Sequence, residues 1–299
     1  ASGRNLHSLL VLNDLDKQVV LGDHLIRLFI ACGTLLEANI VFCSLSQPSI
    51  HTWQAIISGH TVQNKHGMSI QLYERMQHEG ICPDEFIFSS ILKACGKVKD
   101  ISYGRCLHNG IVLIGLECNV VLGSSLVDMY VKCGHIVDAR SVFDSMPSKN
   151  IVSWGAMMAG YVHYNENGLA VLDLFKSMEE QGIQPDQATI LCTLNACSSM
   201  RAVTWGRIVH AKIIESFLAS GPVLGNTLVE MYVKCGSMEE ARNVFNKLSD
   251  RTVVSYAAII RGYIEHRDVA IAMQLFRDML LENIEGNDVL FLHIVKELR

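Results

Sequence analysis

Residues able to do chemistry are present throughout this 299-residue chain, but their spacing assembles no reaction centre. Ten cysteines occur, yet none form a C-x-x-C pair and no Cys/His group has zinc-finger spacing. Cys32, Cys133 and Cys235 recur far apart, in equivalent surroundings, and read as small packed apolar residues. His108 and His210 also recur, which points to helix packing. Ser90-x-x-Lys93 matches one fragment of an acyl-transfer serine site, but the companion Ser-Asp-Asn and Lys-Thr-Gly are absent. The pairs Glu179-Glu180 and Glu239-Glu240 read as solvated faces. No phosphate loop, G-x-S-x-G elbow or H-E-x-x-H helix occurs. The expectation is a protein without catalytic residues, metal or cofactor, and without a small-molecule substrate.

The elements that would carry these residues are repeats. Met129-Tyr-Val-Lys-Cys-Gly134 returns as Met231-Tyr-Val-Lys-Cys-Gly236, and a weaker copy is Leu28-Phe-Ile-Ala-Cys-Gly33. A super-period of about 101 residues also relates Trp53, Trp154 and Tyr256, then Met76, Met178 and Met279, and His108 with His210. Turn signals such as Gly80-Ile-Cys-Pro-Asp84, Gly182-Ile-Gln-Pro-Asp186 and Ser145-Met-Pro-Ser-Lys-Asn150 divide it further. The resulting units are 19–49, 50–84, 85–119, 120–150, 151–186, 187–221, 222–252 and 253–287, with partial units at 1–18 and 288–299.

Each unit carries two apolar stripes of helical period. In 120–150 they are Leu122, Leu126, Met129, Tyr130 and then Ile136, Ala139, Val142, Phe143, Met146. Neither helix can bury its stripe alone, so units must stack. Ala139, Ala241, Ala170 and Ala272 are the small residues expected to let helices approach. The expected fold is all-α, a right-handed α-solenoid or superhelix of helix-turn-helix repeats. Hydrophobic residues make up 49% and charged residues 18% of the chain, which suits sandwiched helices. The uncharged stretch 150–165 lacks the roughly 18 apolar residues that a bilayer span needs, and no membrane is expected. Net charge is −5, so there is no overall cationic field to attract a polyanion.

The rotation of 31-, 35- and 35-residue units, with these phrases, resembles the pentatricopeptide repeats (PPR) of the PLS subclass, which occur in plants. Units 50–84, 151–186 and 253–287 look like P motifs, 85–119 and 187–221 like L motifs, and 19–49, 120–150 and 222–252 like S motifs. Both partial units look like L. The resemblance implies a nuclear-encoded protein of mitochondria or chloroplasts that binds single-stranded RNA, one base per repeat. It implies base reading by residue 5 and the last residue of each unit. Those pairs are Asp23 with Ser49, Gln54 with Asp84, Ser89 with Asn119, Ser124 with Asn150, and Asn226 with Thr252. Asp186 and Asn287 are paired with Gly155 and Ala257, and Gly221 with Leu191, none of which offers a hydrogen bond at position 5.

Ser124/Asn150 resembles an adenine reader and Asn226/Thr252 a pyrimidine reader. At position 2, Val20, Val121, Val152, Val223 and Val254 are implied to pack on base faces, with His51, Phe86 and Ala188 departing from the pattern. Lys97, Lys132 and Lys234, at position 13, are implied phosphate contacts. Trp53 and Trp154 read as core between repeats.

Two functions follow as expectations. One is RNA binding in organellar RNA processing, of the editing-specificity type if further domains follow Arg299, since no H-x-E…P-C-x-x-C deaminase signature is present. The other is a protein-binding scaffold in an organellar ribonucleoprotein such as the mitochondrial ribosome.

Overall fold

Helices dominate because the apolar stripes recur at 3.6-residue spacing and polar residues cap the starts. The computed structural model describes residues 19–164, 167–215 and 221–284. Among the described residues there are 16 α-helices and no strands. They belong to two compact bodies, Ala1–Met157 and Met158–Arg299.

The N-terminal body contains α1 (Val19–Ala31), α2 (Leu35–Ser44), α3 (Ile50–Val62), α4 (His66–His78), α5 (Glu85–Val98), α6 (Ile101–Leu113), α7 (Val120–Lys132) and α8 (Ile136–Ser145). Here α1, α3, α5 and α7 pack side by side in succession, and α2, α4, α6 and α8 each lie against the helix before them. Helix α9 (Ile151–His163) spans the boundary between the bodies. The C-terminal body continues with α10 (Gly168–Glu180), α11 (Gln187–Met200), α12 (Val203–Glu215), α13 (Pro222–Lys234), α14 (Met238–Lys247), α15 (Val253–Glu265) and α16 (Val269–Leu281). In it, α11, α13 and α15 pack in succession, each backed by the helix that follows.

The repeated Met-Tyr-Val-Lys-Cys-Gly phrase shows how local chemistry builds a helix pair. Met129 and Tyr130 are buried, and Cys133 donates its backbone N–H to the Met129 carbonyl at 3.0 Å. Gly134 then takes φ +83°, a left-handed conformation that a side chain would penalise, and the chain reverses into α8. Gly236 does the same at φ +75° before α14.

The core between pairs is aromatic. Phe42 meets Trp53 edge-on at 4.7 Å, Phe143 meets Trp154 at 4.8 Å, and Phe245 meets Tyr256 at 4.9 Å, all with rings inclined by 77°. Such edge contacts add about 0.5–1.5 kcal/mol beyond area burial. The two tryptophans are fully enclosed, so neither presents a free ring face. His108 and His210 bridge neighbouring helices: each Nδ1 lies 3.0 or 2.9 Å from the hydroxyl of Tyr130 or Tyr232.

Ala139, Ala241 and Ala272 are buried at close helix contacts. Ala170 is not; it is half-exposed, and Val171 is buried instead. That repeat is one residue longer, which turns α10 so that the next side chain faces the core. Cys95 and Cys197 are buried, and burial pushes both thiols up to about 12, so they are inert packing groups. Among the described residues no three His, Cys, Asp or Glu side chains are placed to hold a metal ion, and no helix is long and apolar enough to cross a membrane.

Candidate nucleic-acid interface

The first helix of each pair begins with an exposed apolar side chain. Val20, Val121, Val152, Val223 and Val254 are all more than half exposed, as is Phe86. His51 and Ala188 are exposed at the same register. A single exposed valine needs no explanation. One recurring at the second residue of successive helices, while the rest of each apolar stripe is buried, marks a surface. The fifth residue lies three positions further on, hence on the same face of the helix one turn along.

The residue before each first helix is its N-cap. Ser49, Asp84, Asn119, Asp186 and Thr252 each accept a backbone N–H with a side-chain oxygen. Asn150 Oδ1 accepts from the Ser153 N–H at 3.0 Å. Gly221 has no side chain to offer, and Pro222 starts that helix in its place. The candidate base-reading residues at repeat ends are therefore also structural caps, worth about 1 kcal/mol each.

Three of the candidate pairs are brought into direct contact. The Ser124 hydroxyl donates to Asn150 Oδ1 at 3.1 Å, with Val120 O a second acceptor at 2.7 Å. Asn150 Oδ1 is thus occupied by a cap and a hydroxyl, and the two Nδ2 hydrogens are left to donate. Asn226 Nδ2 donates to Thr252 Oγ1 at 3.1 Å, and Asn226 Oδ1 is enclosed without a partner. Asp23 accepts from the Ser49 hydroxyl at 3.0 Å and also from Thr52.

Other candidates are not joined. Ser89 bonds the Ser125 hydroxyl at 2.9 Å, while Asn119 is spent on the N–H groups of Val121 and Leu122. Among the described residues no hydrogen bond links Gln54 to Asp84. Gln54 instead lines an open cavity of about 330 Å³ with Arg27, Ile30 and Ser58, between α1 and α3. Gly155, Leu191 and Ala257 are half-buried and Asp186 is committed to its capping box. Asn287 lies outside the described residues.

Of the three candidate lysines, Lys97 is exposed and has no ion-pair partner among the described residues. Lys132 is bonded to Asp128, and Lys234 to Glu230 at 3.0 Å, both one turn upstream. The partners Thr52, Asp128 and Glu230 were not singled out in the sequence reading. The Asp128/Lys132 and Glu230/Lys234 spacing of four was visible there, as was Ser49-x-x-Thr52, a capping-box spacing.

Residues 48–97 match the PPR repeat family, and residues 124–151, 226–253 and 254–284 each match the PPR repeat. A pentatricopeptide repeat-containing protein of Arabidopsis thaliana is 35% identical over 279 residues, covering 92% of this chain and 40% of its own length. A mitochondrial one from the same plant is 33% identical over 97% of this chain and 46% of its own, and a chloroplastic one 32% identical over 98% and 47%. The chain thus spans less than half the length of these relatives.

Among solved structures, the maize pentatricopeptide repeat protein PPR10 superimposes with a TM-score of 0.79 at 17% identity, over 99% of this chain and 43% of that one. PPR10 in complex with an 18-nt psaJ RNA element gives 0.78 at 16% identity, over 99% and 44%. The fold is the all-helical solenoid class of stacked helix-turn-helix repeats. The matched segments of this chain are similar to PPR repeats.

Proposed function

We propose that this chain binds single-stranded RNA and serves organellar RNA processing. The observation that carries the reading is a repeated juxtaposition. In both bodies, an exposed valine sits one helical turn from a hydrogen-bonded polar pair: Val121 with Ser124/Asn150, and Val223 with Asn226/Thr252. An aliphatic platform beside polar atoms suits a base, which has an apolar face and a polar edge. The Asn150 Nδ2 hydrogens supply donors on one repeat, and Asn226 Nδ2 bonded to Thr252 Oγ1 presents a different polar pair on the other, so the two sites would prefer different bases.

The RNA complex of PPR10 and the organellar names of the Arabidopsis relatives support the reading. In it the repeats run in P, L, S rotation over the unit boundaries given above, and sequence specificity rests on Ser124/Asn150 and Asn226/Thr252. A role as an editing-type specificity factor would require domains beyond Arg299. The alternative is a scaffold that binds proteins within a ribonucleoprotein, favoured by exposed Leu36, Leu113 and Val137 on α2, α6 and α8.

The test is binding to random-sequence single-stranded RNA at low and moderate salt. Salt-sensitive binding that Asn150→Ala and Asn226→Ala shift in base preference is the expected result. Absence of binding overturns the RNA reading in favour of the scaffold, and binding whose base preference neither variant shifts overturns sequence-specific reading.

A further inference from the structure

Three lysines gather on one edge of the N-terminal body. Lys93 and Lys97 lie four residues apart on α5, both exposed. Lys132 reaches the same place from α7, because α5 and α7 approach closely at Gly96. A Cβ added to Gly96 would come within 3.2 Å of Lys132 Cδ and 3.3 Å of the Met129 backbone. His66, at the start of α4, completes the group. Burial first, then the nearby Lys97, Lys93 and Lys132, hold its imidazole below the ordinary value, so it is neutral at pH 7. Asp128 is bonded to Lys132, and among the described residues no ion pair joins Lys93 or Lys97 to an acid.

The equivalent edge of the C-terminal body is different. One super-period on, Lys93 and Lys97 are replaced by Asn195 and Ser199. Lys132 becomes Lys234, but Glu230 binds both Lys234, at 3.0 Å, and Arg261, at 3.4 Å. Glu265 faces Arg261 as a second acid at 4.0 Å. Within this group two cations are matched by two carboxylates.

Like charges gathered by two helices repel one another, and of the three lysines only Lys132 gains an acid partner among the described residues. Such a cluster suits an anion with several charges at close spacing, and the backbone of a single strand is one. We propose that Lys93, Lys97 and Lys132 together form the phosphate anchor of the N-terminal body, and that Lys234 contributes nothing to ionic attachment. The inference rests on the RNA reading above and deepens it. Lys93 is a contact that the position-13 register does not include, and Lys234 is removed from the set.

The experiment is the salt dependence of affinity for a labelled random-sequence single-stranded RNA, measured by fluorescence anisotropy. Each phosphate contact on a single strand contributes about 0.7 to the slope of log K against log salt. The triple variant Lys93→Gln, Lys97→Gln, Lys132→Gln is expected to flatten the slope by about 2 relative to the parent. Lys234→Gln is expected to leave it unchanged. All four residues are on the surface, and circular dichroism would verify that each variant keeps the parent's helicity.

A triple variant with the parent's slope, or a Lys234→Gln loss of about 0.7, overturns the anchor while RNA binding stands. A parent that shows no salt-sensitive RNA binding overturns both the anchor and the reading beneath it.

Discussion

Asn150 Oδ1 receives two hydrogen bonds at once, from the Ser124 hydroxyl 3.1 Å away and from the Ser153 backbone N–H at 3.0 Å. One atom therefore ties a proposed base-reading pair to the start of the next helix. Stability and recognition are coupled at this residue, and a substitution can separate them.

Asn150→Asp keeps an oxygen for the cap and for Ser124, and places a negative charge favourably at a helix N-terminus. Its stability to urea should stay within about 0.5 kcal/mol of the parent, whereas Asn150→Ala should lose about 1 kcal/mol. Both remove the Nδ2 donors, so both should alter base preference on a panel of single-stranded oligonucleotides. A changed preference in the alanine variant alone would mean that Asn150 acts only through the cap.

Acid should weaken the fold through buried imidazoles. Burial lowers His108 and His210 from the ordinary value of 6.5, although Asp138 opposes this at His108 and Lys247 adds to it at His210. Burial followed by Lys65 lowers His60 as well. A histidine with a depressed folded pKa contributes stability that is present above about pH 6.5 and lost as pH falls below it, because the unfolded chain binds the proton more readily. Protonation would also make both ring nitrogens of His108 and His210 donors, so the Tyr130 and Tyr232 hydroxyls could only accept from them. Thermal melts should therefore decline from pH 7 to pH 5, and His108→Gln with His210→Gln should flatten that decline. An equal decline in the double variant would place the acid sensitivity elsewhere.

Close packing at Gly104 can be tested by adding one methyl group. A Cβ there would meet the Met129 thioether at 2.5 Å on the facing helix. Overpacking costs about 1–3 kcal/mol, and the flexible thioether should keep Gly104→Ala near the lower end. Gly67→Ala, which meets nothing within 4 Å, is the matched control and should leave stability unchanged or slightly raised by helix propensity. Denaturant midpoints measure both, and equal effects at the two positions would refute the packing account.

Much of the fold was legible from residue types alone. Apolar spacing marked the helices, and Gly134 and Gly236 marked their reversals, because periodicity and left-handed backbone are local properties. Tightness of packing was less legible. The extra residue in 151–186 was countable, but its effect, turning Val171 into the core and Ala170 out, depends on where α10 begins relative to its neighbours. Ser89 illustrates the same limit. It has a side chain suited to reading a base, and the fold gives it to Ser125 on the next first helix.

The amino-acid order by itself determined the repeat period, the two helices in each repeat, the capping residues and the exposed valines, since each depends on neighbours within about one or two turns. Tertiary structure decided which polar groups meet. Ser124 and Asn150, like Asn226 and Thr252, are 26 residues apart and join because stacking brings a helix against the cap of the next. It also decided which charged side chains come together. Lys93, Lys97 and Lys132 gather where Gly96 lets two helices approach, while Lys234 is held by a glutamate that also binds Arg261. Hydrogen bonds and ion pairs form over about 3–4 Å, and only the packed arrangement of helices sets distances that finely.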